Sequence, residues 1–178
     1  KIIDNSPKNS IEMGIGYLPE ERRSQGIIPQ LSVRENMTIA NLKKLFKFPR
    51  INIDEECKLV EEYINKIKIK TSSMEQKISQ LSGGNQQKVI LSRWMVVGCD
   101  ILILDEPTRG IDVLAKEEIH QLIRSMADKG MTFVVVSSEM EELLALANRI
   151  LIMHEGKLKG IVESEKANPE SILNIALS

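Results

Sequence analysis

Two short segments hold residue types that can handle a phosphate. Leu81-Ser82-Gly83-Gly84-Asn85-Gln86-Gln87-Lys88-Val89 sets a serine and two glycines at the start of a helix. Free backbone N–H groups, the helix dipole and the close approach permitted by absent side chains make such a tip an anion site. An ordinary capped helix after a tight turn reads the same way on this segment alone. The second segment, Ile101-Leu102-Ile103-Leu104-Asp105-Glu106-Pro107-Thr108, delivers two adjacent carboxylates to the end of an apolar strand. Ligands of parallel α/β sheets gather at the carboxyl ends of strands, so both acids are expected to face a crevice there. One carboxylate can hold Mg2+ through water while its neighbour orients an attacking water. A strand that merely ends in polar residues would leave them idle. Asp105 follows Gly84 by 21 residues, one helix and one turn, which ties both segments to one scaffold.

That scaffold is legible in outline. Residues 1–10 read as polar loop, and Ile15–Leu18 as a short strand ending at Pro19. The charged run 20–31, with Gly26 and Pro29, reads as exposed loop. Ser32 and Glu35 have capping-box spacing, so a helix is expected from Val33 to about residue 46. A second helix is expected over 54–67, with Leu59, Val60, Tyr63, Ile64 and Ile67 at helical spacing. Between them KKLFKFPR interleaves basic residues with Phe46 and Phe48, either as a solvated loop or as a contact surface for a membrane-bound partner.

From Leu81 onward helices alternate with strands: helix 83–97, strand 101–104, helix 113–129 closed by Gly130, strand 132–136, helix 139–147 and strand 149–154. A turn at Glu155-Gly156, a returning strand to Val162 and a helix after Pro169 complete the pattern. Crossovers of this length require a parallel sheet with helices on both faces. The fold class is α/β.

Composition narrows the function classes. The chain has 178 residues, 42% hydrophobic and 28% charged, which suits one globular unit with a core. Lys and Arg number 24 against 25 Asp and Glu, a net charge of −1, so no global field draws it to nucleic acid. The longest apolar runs are a few residues, far short of the roughly 20 that span a bilayer, and no secretory signal opens the sequence. Cys57 and Cys99 form no CxxC pair and are expected to be reduced thiols. Aromatic residues make up only 3%, which disfavours direct stacking on sugars or bases. His120 and His154 lack carboxylate or cysteine companions and read as surface or strand-end residues, Trp94 as core, and Arg22, Arg23, Arg34 and Lys43 as surface charge.

LSGGNQQKV resembles the signature motif of ATP-binding cassette (ABC) ATPases, ILILDEPT their Walker B strand, and Gly110-Ile111-Asp112 their D-loop. Together with IGYLPEERRSQGI, DEPTRGIDV and VVVSSEM, the resemblance is to the second cassette of the tandem ATP-binding subunit of ribose, xylose and galactose importers. It implies a P-loop NTPase-like fold with a helical subdomain, ATP and Mg2+ as cofactors, and an opposing cassette, in the same chain or a dimer, as partner. It further implies membrane permease subunits, indirectly a periplasmic or extracellular sugar-binding protein, no nucleic acid, and a peripheral position on the cytoplasmic face of the membrane. Residues 1–31 would be the strand and Q-loop-like region, 32–80 the helical subdomain, 81–162 the signature helix, Walker B, D-loop, switch region and last strands, and 163–178 the C-terminal helix.

Carried over, Ser82, Gly83, Gly84, Asn85 and Gln86 would contact ATP held by the opposing cassette. Asp105 would assist Mg2+, Glu106 would be the general base of this cassette's own site, and Asp112 would lie at the interface. Arg109 is either D-loop support or an interface salt bridge. Three departures stand out. No GxxxxGK[ST] occurs, so the P-loop and its strand are expected to precede this sequence; three lost charge-assisted contacts cost about 5–9 kcal/mol. The chain alone is then expected neither to hold ATP usefully nor to hydrolyse it. Ser138 takes the place of the family's switch histidine, and Glu20 that of the Q-loop glutamine, so the cassette's own site is expected to be slow. A split-head DNA-repair or chromosome ATPase is the alternative, but no heptads precede Leu81; a non-catalytic docking module is another.

Overall fold

Ser6 followed by Pro7 starts the first helix of the structure, a computed structural model that describes residues 6–177. The Ser6 side chain accepts from the Asn9 amide at 3.3 Å and Pro7 fills the first helical position, so α1 (Pro7–Glu12) stands where loop was expected. The expected loop at residues 1–5 lies outside the described residues. Strand β1 (Ile15–Leu18) follows. The run 20–31 is not a plain exposed loop: Arg22–Gly26 makes one wide helical turn, and Gly26 and Ile27 are buried. Arg93 draws that turn inward by donating to the Gly26 carbonyl at 2.9 Å.

Ser32 and Glu35 form the reciprocal cap, the hydroxyl accepting from the Glu35 amide and the carboxylate from the Ser32 amide at 2.8 Å. The helix expected to run to residue 46 is interrupted. After α2 (Val33–Thr38) the chain tightens into a 3-10 turn at Ile39–Asn41, then α3 (Leu42–Leu45). Thr38 stands at the break, its hydroxyl 2.6 Å from the Glu56 carboxylate that accepts from it and 3.0 Å from the Arg34 carbonyl. Phe46 already belongs to β2 (Phe46–Lys47), paired antiparallel with β3 (Arg50–Ile51). The remaining elements are α4 (Ile53–Ile67), α5 (Gly83–Val97), β4 (Ile101–Asp105), α6 (Val113–Ala127), β5 (Thr132–Val136), α7 (Met140–Leu146), β6 (Arg149–His154), β7 (Lys157–Glu163) and α8 (Pro169–Leu177). Arg34, expected as plain surface charge, bridges Glu56 at 2.7 Å and Glu75 at 2.6 Å, fastening α2 to α4.

The parallel sheet has the order β1-β4-β5, with Leu18 opposite Leu104 and Leu104 opposite Val135. On one face Leu18, Leu102 and Leu104 are fully buried against α5 and α6, whose Val89, Ile90, Leu91, Trp94, Ile119 and Met126 complete the core. Gly16 permits this packing, because a Cβ there would fall 2.8 Å from Trp94 ring carbons. The other face carries Tyr17, Ile101, Val134 and Val136, each between 36% and 52% exposed. Its residues are as apolar as those of a sheet covered twice, and the described helices leave them partly exposed. Strands β6 and β7 do not join the parallel sheet; they form a separate hairpin that packs with α8 around Ile150, Ile152 and Ile172. Among the described residues no helix is long and apolar enough to cross a membrane.

Candidate functional site

Helix α5 presents an open tip. Ser82 stands at the N-cap in extended backbone, yet its hydroxyl makes no capping bond and instead accepts from Asn85 Nδ2 at 2.9 Å. Ser82 is exposed. The first amides of α5 thus keep their donors free of the Ser82 side chain, the condition for an anion site. A Cβ on Gly83 would meet the end of Arg22 at 2.9 Å, whereas one on Gly84 would meet Ala115 Cβ at 2.6 Å. The missing side chain of Gly84 therefore serves the close approach of α6.

Asn85 and Gln86 both hydrogen-bond within the chain, Asn85 with one donor hydrogen of its Nδ2 to spare. Asn85 Oδ1 accepts from the Lys70 amide at 2.7 Å. Gln86, 3% exposed, donates to the carbonyls of Ile78 and Leu81 at 3.2 Å and accepts from Arg22 Nε at 3.2 Å. Its side-chain amide braces the tip from below. Arg22, expected as surface charge, is half-buried in that brace, and burial holds its guanidinium below the ordinary value.

The acid pair stands at the carboxyl end of β4. Asp105 lies on the uncovered side of the sheet, where the Tyr17 hydroxyl donates to its Oδ2 at 2.9 Å, a bond that pushes the Tyr17 phenol up. Glu106 turns the chain with φ of 48°, left-handed backbone that a non-glycine residue adopts at a cost of about 1–3 kcal/mol. Its amide donates to the Val136 carbonyl at 2.8 Å, and its carboxylate accepts from the Ser138 amide at 2.6 Å. The segments after β4 and β5 are thus joined at the acid. Glu20 forms an ion pair with Arg109, which binds the loop after β1 to the loop after β4 and places Arg109 inside this chain's own network. Asp112 caps α6, accepting from the Ala115 amide at 2.9 Å, and the next two residues, Val113 and Leu114, are each 82% exposed.

Several supporting residues carried no signal in sequence. Gln87 Nε2 donates to the Pro107 carbonyl at 2.6 Å, locking the signature helix to the loop that follows the acids. Glu142, 2% exposed, accepts from Thr108 at 2.7 Å and faces His120 Nε2 at 2.9 Å. His120, expected at the surface without a carboxylate, is 6% exposed beside one. Its partner lies 22 residues away, beyond the reach of local pattern. His154 ends β6 as expected, Trp94 is core, and Cys57 and Cys99 are free thiols.

Chemically, the arrangement offers a helix tip for an anion and an adjacent acid pair for a hydrated cation and a water. No group of three or more His, Cys, Asp or Glu among the described residues could hold a metal by itself. Asp105 fits Mg2+ in the mode in which one carboxylate and nucleotide phosphates share the ion.

Residues 2–109 match the family described as ABC transporter. The ribose import ATP-binding protein of Clostridium perfringens is 47% identical over 174 residues, 97% of this chain and 35% of that protein. The xylose import ATP-binding protein of Thermoanaerobacter pseudethanolicus is 43% identical over 176 residues, 99% of this chain and 35% of that protein. The chain spans about a third of the length of these curated relatives. A dimeric ATP-binding cassette solved in a post-hydrolysis state with ADP and Pi shares the fold at TM-score 0.71 and 24% identity, over 88% of this chain and 65% of that one. Another dimeric structure of that same bacterial cassette gives TM-score 0.72 at 24% identity, over 91% of this chain and 68% of that one. With signature tip, acid pair and capped α6 set in this fold, and the family match covering more than half of its residues, the chain belongs to the ABC transporter family.

Proposed function

We propose that this chain is part of the ATP-hydrolysing subunit that powers import of ribose, xylose or a similar simple sugar. It works from the cytoplasmic face of the membrane, with membrane permease subunits as direct partners and a sugar-binding protein as an indirect one. The observation that carries the reading is the separation of two polar sites by the loop 106–112. The tip at Ser82 and Gly83 opens at one end of that loop, and Asp105 and Glu106 stand at the other, with Gln87 on Pro107 fixing the span. In this reading the two ends serve two different nucleotides held between facing cassettes.

In this reading Ser82, Gly83 and Asn85 meet the ATP of the opposing cassette, while Gly84 and Gln86 hold the tip in place. ATP would supply the bond that is broken, and Mg2+ would offset the charge of its phosphates. Asp105 would hold the ion, with Tyr17 fixing its second oxygen. Glu106 takes the proton of the attacking water, oriented by the Ser138 amide. Ser138 and Glu20 occupy the switch and Q-loop positions, and Asp112, Val113 and Leu114 present a polar cap and an exposed apolar pair to the opposing cassette. The helical subdomain 32–80 takes up the permease. The split-head alternative is disfavoured because β1 pairs with β4 in one continuous sheet here.

Equilibrium ATP binding, measured on this chain alone and mixed with a P-loop-bearing cassette, tests the reading. We expect no useful binding alone and tightened binding in the mixture; unchanged affinity on mixing would overturn it.

A further inference from the structure

The chain keeps few aromatic residues and exposes two of its three phenylalanines in one place. Phe48 sits at the tip of the β2–β3 hairpin and is 91% exposed; Phe46 is 51% exposed on the same hairpin. Ile53 and Leu42 flank it at 50% and 37%. A protruding tip of this kind has no concave wall of its own to fill and suits insertion into a soft apolar layer.

Charge names the layer. From Leu42 to Ile53 the sequence carries Lys43, Lys44, Lys47 and Arg50 and no acid. Lys47 and Arg50 stand directly opposite each other across the hairpin, a like-charge pairing that Glu55 offsets on the Lys47 side only. The acids nearby are Glu12, which pairs with Lys43 at 2.9 Å, Glu55, which pairs with Lys47 at 2.6 Å, and Asp54. Both pairs are solvent-exposed and of the weak, exchangeable kind. Lys44 donates to the Val97 carbonyl at 2.9 Å, which anchors the hairpin's base to α5. Beside the tip a depression of about 430 Å³ is lined by Lys47, Arg50, Ile51, Asn52, Ile53 and the acid Asp54.

We propose that the β2–β3 hairpin is a membrane-surface anchor, with Phe48 and Phe46 entering the acyl boundary and Lys47 and Arg50 meeting anionic lipid headgroups. The inference deepens the proposed function by adding a lipid contact to the protein partners. It is tested without nucleotide, so that either reading can fail alone.

The test is co-sedimentation of this chain with vesicles of phosphatidylcholine alone or with phosphatidylglycerol added. The chain is expected to bind the anionic vesicles and to leave them as salt rises. Phe48→Ser and the double change Lys47→Glu, Arg50→Glu are each expected to weaken binding about tenfold or more. Val136→Ser, on the uncovered sheet face, serves as control and should bind as the parent does. Parent protein that ignores anionic vesicles, a Phe48→Ser variant that binds undiminished, or loss of binding through Val136→Ser alone would each overturn the anchor. All variants are surface changes, and retained circular dichroism identifies any that fail to fold; Phe48→Leu, which keeps an apolar tip, should restore most of the binding.

Discussion

The backbone amide of Ser138 donates to the Glu106 carboxylate at 2.6 Å, so the proposed switch position and the proposed general base are in contact through main chain. What the serine side chain lacks is a cationic group to set against a developing phosphate charge.

The first prediction concerns that lack. Because the contact is made by the amide, Ser138→His keeps it and adds an imidazole. In the intact subunit, hydrolysis at this cassette's own site should rise by roughly ten- to a hundredfold, measured as steady-state phosphate release. Unchanged turnover would count against the view that this site is slow for want of that group.

The two signature glycines should differ in stability. Gly84→Ala drives a methyl to within 2.6 Å of Ala115 Cβ and must push α6 away, whereas Gly83→Ala meets the end of the Arg22 side chain at 2.9 Å and the Gly110 carbonyl at an ordinary 3.6 Å. Urea titration should show a loss of about 1–3 kcal/mol for the first and a much smaller change for the second. Equal losses would contradict the close packing of α6 on the tip.

Buried Glu142 should leave a mark on acid stability. Burial pushes its carboxyl up, but hydrogen bonds from Ser137, Thr108 and His120 outweigh that and hold it below the ordinary value of 4.5. A depressed carboxyl contributes stability that is complete above the unfolded value and is lost as pH falls through the folded one. Thermal melts of the parent should therefore fall away below about pH 4.5, while Glu142→Gln should be less stable at neutral pH and flatter through the acid range. Parallel curves for the two proteins would remove Glu142 from the acid transition.

Much of this architecture could be read from local chemistry. The helix after Ser82 and the apolar run before Asp105 carry their own signals, and both elements lie where patterning put them. The small misses have local causes as well. Ser6-Pro7 is a helix start that a polar composition concealed, and a helix that its apolar spacing would continue breaks at Thr38. Larger misses are tertiary. Glu20 and Arg109, or His120 and Glu142, meet across the fold from distant positions, and Gln86 looks like a surface polar residue until the turn at Arg22 closes over it. The uncovered sheet face also had no local sign, since Tyr17 and Val134 read as residues buried from both sides.

The most direct measurement compares two variants of the intact subunit in steady-state ATP hydrolysis. If the Ser82 tip serves the opposite nucleotide and Glu106 serves its own, Ser82→Arg should abolish most turnover while Glu106→Gln leaves the greater part of it. Retained activity in Ser82→Arg, or complete loss in Glu106→Gln, would contradict the account.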